Sequence, residues 1–160
     1  PRIVEGEGLV HIRSYLERAP IPRTFEDAVA IQRAAHGSAF PALTDADWER
    51  HARALYREEK GKLVLDFDPK LLRQLRAIDL NKPLPTLWPQ FEGLYGVPML
   101  AIRGENSRLM APSTLLEMTL RHPDIETITV EGQGHAPMLE TGKLPERIAA
   151  FLDRAEGRVA

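Results

Sequence analysis

The chain has 160 residues, of which 43% are hydrophobic, enough for one buried core or a small pair of packed units. A net charge of −2 and the absence of any basic stripe with interleaved aromatics argue against a nucleic-acid partner. Zero cysteines exclude disulfides, thiolate metal sites and a cysteine nucleophile, and together with the lack of a signal peptide or a long apolar run they point to a cytoplasmic protein with no membrane span.

Pro1 leads straight into an amphipathic pattern, which reads as the interior of a longer gene product. Leu9, Ile12, Tyr15 and Leu16 share one helical face, which ends at Ala19-Pro20-Ile21-Pro22 because proline forbids continuation. Thr24-Phe25-Glu26-Asp27 has the form of a capping box, and Thr44-Asp45-Ala46-Asp47 repeats it ahead of Trp48, Leu55 and Tyr56. His36-Gly37 reads as a helix stop, with the glycine supplying the C-terminal turn. A short extended run, residues 62–67, leads to Asp68-Pro69, a cap followed by proline at the first helical position. Leu71, Leu72, Leu75 and Ile78 mark the next helix, and Lys82-Pro83-Leu84-Pro85 is the boundary candidate.

Beyond it the character changes. Residues 97–102 form a short apolar run without alternation, as expected of a strand buried on both faces, with Pro98 at its start or at an unpaired position. A helix is expected from Pro112 through Leu120, ending at His122-Pro123, where His122 is placed to meet the terminal carbonyls. A second strand over residues 126–130 and a last helix carrying Ile148, Phe151 and Leu152 follow. Strand, helix, strand, helix implies two parallel strands joined by a right-handed crossover.

The most informative stretch is Glu131-Gly132-Gln133-Gly134-His135-Ala136-Pro137, directly after the second strand. A histidine on a glycine-rich loop at a strand end is anchored enough to be aimed, and histidine is the commonest general base. This loop, the preceding strand ending in Arg103-Gly104-Glu105-Asn106-Ser107, and the helical segment ahead of both resemble the C-terminal half of an α/β-hydrolase with a cap domain. The resemblance implies an α/β fold with a mostly helical cap-like region over residues 1–85, and the last two core strands within residues 86–160. It also implies a serine–acid–histidine triad in that chain order, with His135 as general base and acid.

Two positions depart from the pattern. Where the family commonly carries its acid, Ser107 is followed by Arg108, which cannot orient a neutral imidazole. Glu105, or a carboxylate from another strand, is the substitute. No Gly-x-Ser-x-Gly is present, and Ser14, Ser38, Ser107 and Ser113 all lack the flanking glycines, so the nucleophile is expected upstream of Pro1.

Trp48 and Tyr56 are candidates for an apolar substrate pocket, whereas Trp88 and Phe91 read as packing residues. His11, His36, His51 and His122 show no metal-ligand spacing, and no dinucleotide or phosphate loop occurs, so no cofactor is expected. Two readings follow. One is a serine-hydrolase-like enzyme acting on an ester, lactone or related carbon–heteroatom bond of a small molecule, with the isolated chain inactive. The other is a non-catalytic hydrolase-derived module used for binding or assembly. A sheet of two parallel strands leaves apolar edges, which implies self-association or a covering N-terminal half.

Overall fold

The computed structural model describes residues 4, 6–18, 20–68, 70–80, 82 and 84–159. Pro1, Ala19, Pro69 and Pro83, and the side chains of Leu16, Leu71 and Leu72, lie outside the described residues. The chain divides into two units, Gly6–Leu84 and, together with Pro1–Glu5, Pro85–Ala160.

The first unit contains helices α1 (Gly6–Arg18), α2 (Phe25–His36), α3 (Asp45–Leu55) and α4 (Lys70–Ala77). Thr24 caps α2 by accepting from the Asp27 amide at 3.1 Å. Thr44 and Asp47 form a reciprocal capping box on α3, the Thr44 amide donating to the Asp47 carboxylate at 2.8 Å. The bonds from Thr44, followed by the Arg50 guanidinium, hold the Asp47 carboxyl below its ordinary pKa. Ala28 and Ala52 have no exposed surface, and their small side chains let α2 and α3 approach closely over a core shared with Tyr56 and Leu63. Gly37 takes an ordinary right-handed helical conformation and opens a 3₁₀ turn over Gly37–Ala39, so the expected glycine cap is replaced by a tightening of the chain.

This unit is not purely helical. Helix α3 stops at Leu55, and Tyr56, expected on its face, begins β1 (Tyr56–Glu59), which pairs antiparallel with β2 (Lys62–Leu65) in the register Tyr56↔Leu65 to Glu59↔Lys62. The two-residue turn has positive φ at both Lys60 (52°) and Gly61 (74°), the twist that joins antiparallel strands most closely.

The second unit contains α5 (Trp88–Glu92), β3 (Met99–Gly104), α6 (Pro112–Arg121), β4 (Ile125–Val130) and α7 (Leu144–Val159). Strands β3 and β4 are parallel neighbours in register from Met99↔Ile125 to Gly104↔Val130, with α6 as the connection between them. The α/β class and the parallel pair are as expected, with β3 shifted to begin after Pro98, which has no amide proton to give to a ladder. Trp88, Phe91, Ala101, Leu115 and Met118 form the core, so Trp88 and Phe91 are packing residues. The Arg121 guanidinium lies 4.6 Å over the Trp88 ring and pairs with Glu117 and Glu92. His122 is buried, and its Nε2 meets the carbonyl of Leu94 at 3.1 Å rather than the last carbonyls of α6. Among the described residues no helix is long and apolar enough to cross a membrane.

Candidate active site

Strands β3 and β4 end side by side at Gly104 and Val130, and the chain leaves both in loops that are bonded together. The Glu105 amide donates to the Val130 carbonyl at 2.8 Å, continuing the ladder one step past the strand. The Asn106 amide donates to the Gln133 carbonyl at 2.8 Å, and the Glu105 carboxylate accepts from the Gly132 amide at 2.8 Å. A β-carbon built on Gly104 would fall 2.7 Å from the carbonyl carbon of Gly134 and nearer still to the carbonyl oxygens of Gln133 and Gly134. The histidine loop therefore crosses directly over the end of β3, in space that only glycine leaves open.

Each loop is also held from inside. Arg103, 5% exposed, spends its guanidinium on backbone, donating from Nε to the Met110 carbonyl at 2.8 Å and from a terminal nitrogen to the Glu105 carbonyl at 3.0 Å. The Ser107 hydroxyl accepts from the Met110 amide. Gln133 is buried: its side-chain oxygen accepts from the Met138 amide at 2.8 Å and its nitrogen donates to the Thr141 hydroxyl at 2.7 Å. Gly132 has φ +62°, the left-handed region that favours glycine. Gly134 is not left-handed, and close approach to Gly104 is what its position demands.

On this frame His135 stands exposed. Partial desolvation by the surrounding loop lowers its pKa from the ordinary 6.5, so the imidazole is neutral at pH 7 and able to accept a proton. Among the described residues nothing hydrogen-bonds that ring. Also among the described residues, no three histidine, aspartate or glutamate side chains gather closely enough to hold a metal ion.

No family model matches the chain. It is 30% identical to the pimeloyl-[acyl-carrier protein] methyl ester esterase of Stenotrophomonas maltophilia over 98% of this chain and 60% of that protein. It is 29% identical to the 3-hydroxybutyrate-oligomer hydrolase of Cupriavidus necator over 72% of this chain and 41% of that protein. Among solved structures, an α/β hydrolase from Novosphingobium aromaticivorans superposes with a TM-score of 0.81 at 29% identity, over 94% of this chain and 53% of that one. The chain has an α/β-hydrolase fold. It spans roughly half the length of the solved hydrolase and 41% and 60% of the two curated relatives.

Within that fold the expected site residues fall in different places. Glu105 and His135 lie on loops that are bonded together, and the Glu105 carboxylate is bound to the Gly132 amide and not to the imidazole. Arg108 is exposed on the loop after β3. Tyr56 lines a cavity of the first unit with Tyr15, whereas Trp48, 3% exposed, is packed edge-on against Phe40 and His51. Ser14 lies in α1, Ser38 in the 3₁₀ turn and Ser113 in the first turn of α6, while the Ser107 hydroxyl is committed to Met110. The residues that sequence reasoning passed over are Arg103 and Gln133. The signal for Gln133 was a polar side chain between two glycines. Arg103 had no signal, because a buried arginine at a strand end looks like any surface arginine until the carbonyls around it are known.

Proposed function

We propose that this chain supplies the general base of an ester-type hydrolase, with His135 as that base. The observation that carries the reading is a reachable imidazole, neutral at pH 7, on a loop bonded to the end of the neighbouring strand. The two curated relatives, a methyl ester esterase and an oligomer hydrolase by name, support the reaction class. His135 takes the proton of an attacking hydroxyl and then delivers it to the leaving alkoxide. The nucleophilic serine comes from sequence other than this chain, since none of its four serines sits on a glycine-flanked turn. The 160 residues alone therefore have no turnover. The bond attacked is an ester, lactone or related carbon–heteroatom bond of a small molecule, and the enzyme works in the cytoplasm.

Glu105 is the carboxylate that the structure ties to the histidine loop, and it is the proposed partner of the imidazole in the assembled site. Arg108 at the customary acid position favours a second reading, a hydrolase-derived module without catalysis. The two readings separate by steady-state hydrolysis of an activated ester, using protein produced with whatever coding sequence precedes Pro1. In the enzyme reading the wild type turns over and Glu105→Gln loses most of its rate. If the acid position is vacant, Arg108→Asp raises the rate instead, because a carboxylate fixes the imidazole tautomer and stabilises its charged form. Absence of turnover in wild type and all variants would establish the non-catalytic reading.

A further inference from the structure

Helix α1 is held to the rest of the first unit by polar and aromatic rings more than by the core. That core, Ala28, Ala52, Tyr56 and Leu63 with Phe25, Val29 and Leu55, draws on α2, α3 and the hairpin and takes no described side chain from α1. What α1 brings to α2 is His11 and Tyr15, one helical turn apart, and α2 meets them with Gln32 and His36 at the same spacing. The Tyr15 hydroxyl and the Gln32 side-chain amide are hydrogen-bonded at 2.6 Å. The His36 ring stands edge-on to both rings of α1, its centroid 4.5 Å from that of Tyr15 and 6.2 Å from that of His11. One further tether joins the Arg13 guanidinium to the Ile78 carbonyl at 3.3 Å.

The surroundings of His36 are poor in negative charge. From α1 come His11 and Tyr15. From α3 comes His51, whose ring lies 6.1 Å from that of Trp48, and Trp48 in turn lies under the guanidinium of Arg33, one turn before His36 on α2. The carboxylate of Asp45 is bonded to that guanidinium at 2.7 Å. Burial, then His11 and then His51 lower the pKa of His36 from the ordinary 6.5, so its ring is neutral at pH 7. A folded-state value below the unfolded one means that the contact is at full strength above the unfolded value and weakens as pH falls through the folded one.

We propose that His11 and His36 make the α1–α2 contact an acid-sensitive latch. Neutral, the two rings pack edge to face; protonated, they repel, and α1 comes away while α2, α3 and the hairpin stay folded. The release is local because the charges meet across the α1–α2 contact, whereas the buried core lies on the far side of it. Two unit charges about 6 Å apart shift such an equilibrium by about threefold in water and about a hundredfold when half-buried. The inference concerns the first unit alone and does not rest on the hydrolase reading.

Amide hydrogen exchange of the 160-residue chain, resolved by residue at pH 7.5 and pH 5.0 and corrected for the intrinsic effect of pH, tests it. Amides of α1 beyond its first turn should lose about tenfold in protection at pH 5.0, and those of α3 much less. His36→Gln keeps a planar polar side chain that takes up no proton, and should remove the loss. His11→Gln changes an exposed position, where folding is not at stake, and should remove most of it. Four results would each overturn the proposal: no protection of α1 at pH 7.5, protection of α1 that is equal at both pH values, equal loss in α1 and α3, or an undiminished loss in His11→Gln.

Discussion

Replacing Gly104 by alanine should unseat the histidine loop. Gly104 has no left-handed backbone, so alanine brings no conformational penalty there and the added methyl group acts through space alone. By restricting the unfolded chain, glycine to alanine would by itself stabilise by about 0.4–1 kcal/mol. Against that stands a β-carbon 2.7 Å from the Gly134 carbonyl carbon, where carbon atoms prefer about 3.5–4.0 Å. The obstacle is backbone, which cannot swing aside like a side-chain tip, so residues 133–134 must retreat by roughly an ångström. Overpacking of this kind costs about 1–3 kcal/mol, or more against backbone, and the net effect is destabilising by about 1–3 kcal/mol. For a chain of this size that lowers the melting temperature by about 3–10 °C. Displacement of the base by about an ångström costs on the order of 10²-fold in rate where turnover is measured. Thermal unfolding and the amide resonances of residues 131–136 provide the assay. A Gly104→Ala protein as stable as wild type, with those resonances unmoved, would refute the argument that the loop's position is fixed by contact with β3.

Thr44→Ala removes the cap of α3 and leaves Asp47 without its main partner; a loss of about 1 kcal/mol is expected in urea unfolding. Because Asp47 is depressed when folded, its contribution is present above its unfolded pKa and fades as pH falls, so the gap between wild type and Thr44→Ala should narrow in acid. Gly61→Ala places a side chain at φ +74° in the β1–β2 turn and should cost about 1–2 kcal/mol, measured in the same way. The His135 imidazole, followed by nuclear magnetic resonance, should titrate with a midpoint below 6.5; its folded-state pKa is depressed, so the associated stability is present above the unfolded value and lost as pH falls. Light scattering at micromolar concentration should show self-association of the chain, since the β3–β4 pair is a sheet of two strands and Leu116 and Leu120 are exposed one turn apart on α6.

The parallel pair was legible because each strand is a short apolar run separated by one helix, a pattern with few solutions. The histidine loop was legible because two glycines beside a histidine are unusual outside a constrained turn. The β1–β2 hairpin was not. Tyr56 continues the helical spacing of α3, and Arg57-Glu58-Glu59 is charged and exposed, without the alternation that marks a half-buried strand. Its turn is Lys60-Gly61, not the asparagine–glycine or aspartate–glycine pair that announces such hairpins. Helix α5 escaped notice because five residues are too few to show a period. Among site residues, the carboxylate of Glu105 was visible and its destination was not. Two residues of sequence cannot say whether a side chain turns to an imidazole or to the amide of Gly132.

The account stands most directly on His135 as the base. The deciding measurement is kcat/KM for an activated ester, comparing wild type with His135→Ala, in protein assembled with the serine-bearing half of the proposed hydrolase and shown by circular dichroism to be equally folded. With the proton acceptor removed, the rate should fall by at least 10³-fold at pH 7 while the melting temperature changes little, because the exposed ring has no hydrogen-bond partner among the described residues. Wild-type turnover in His135→Ala would contradict the central claim and leave the loop a structural feature of the fold.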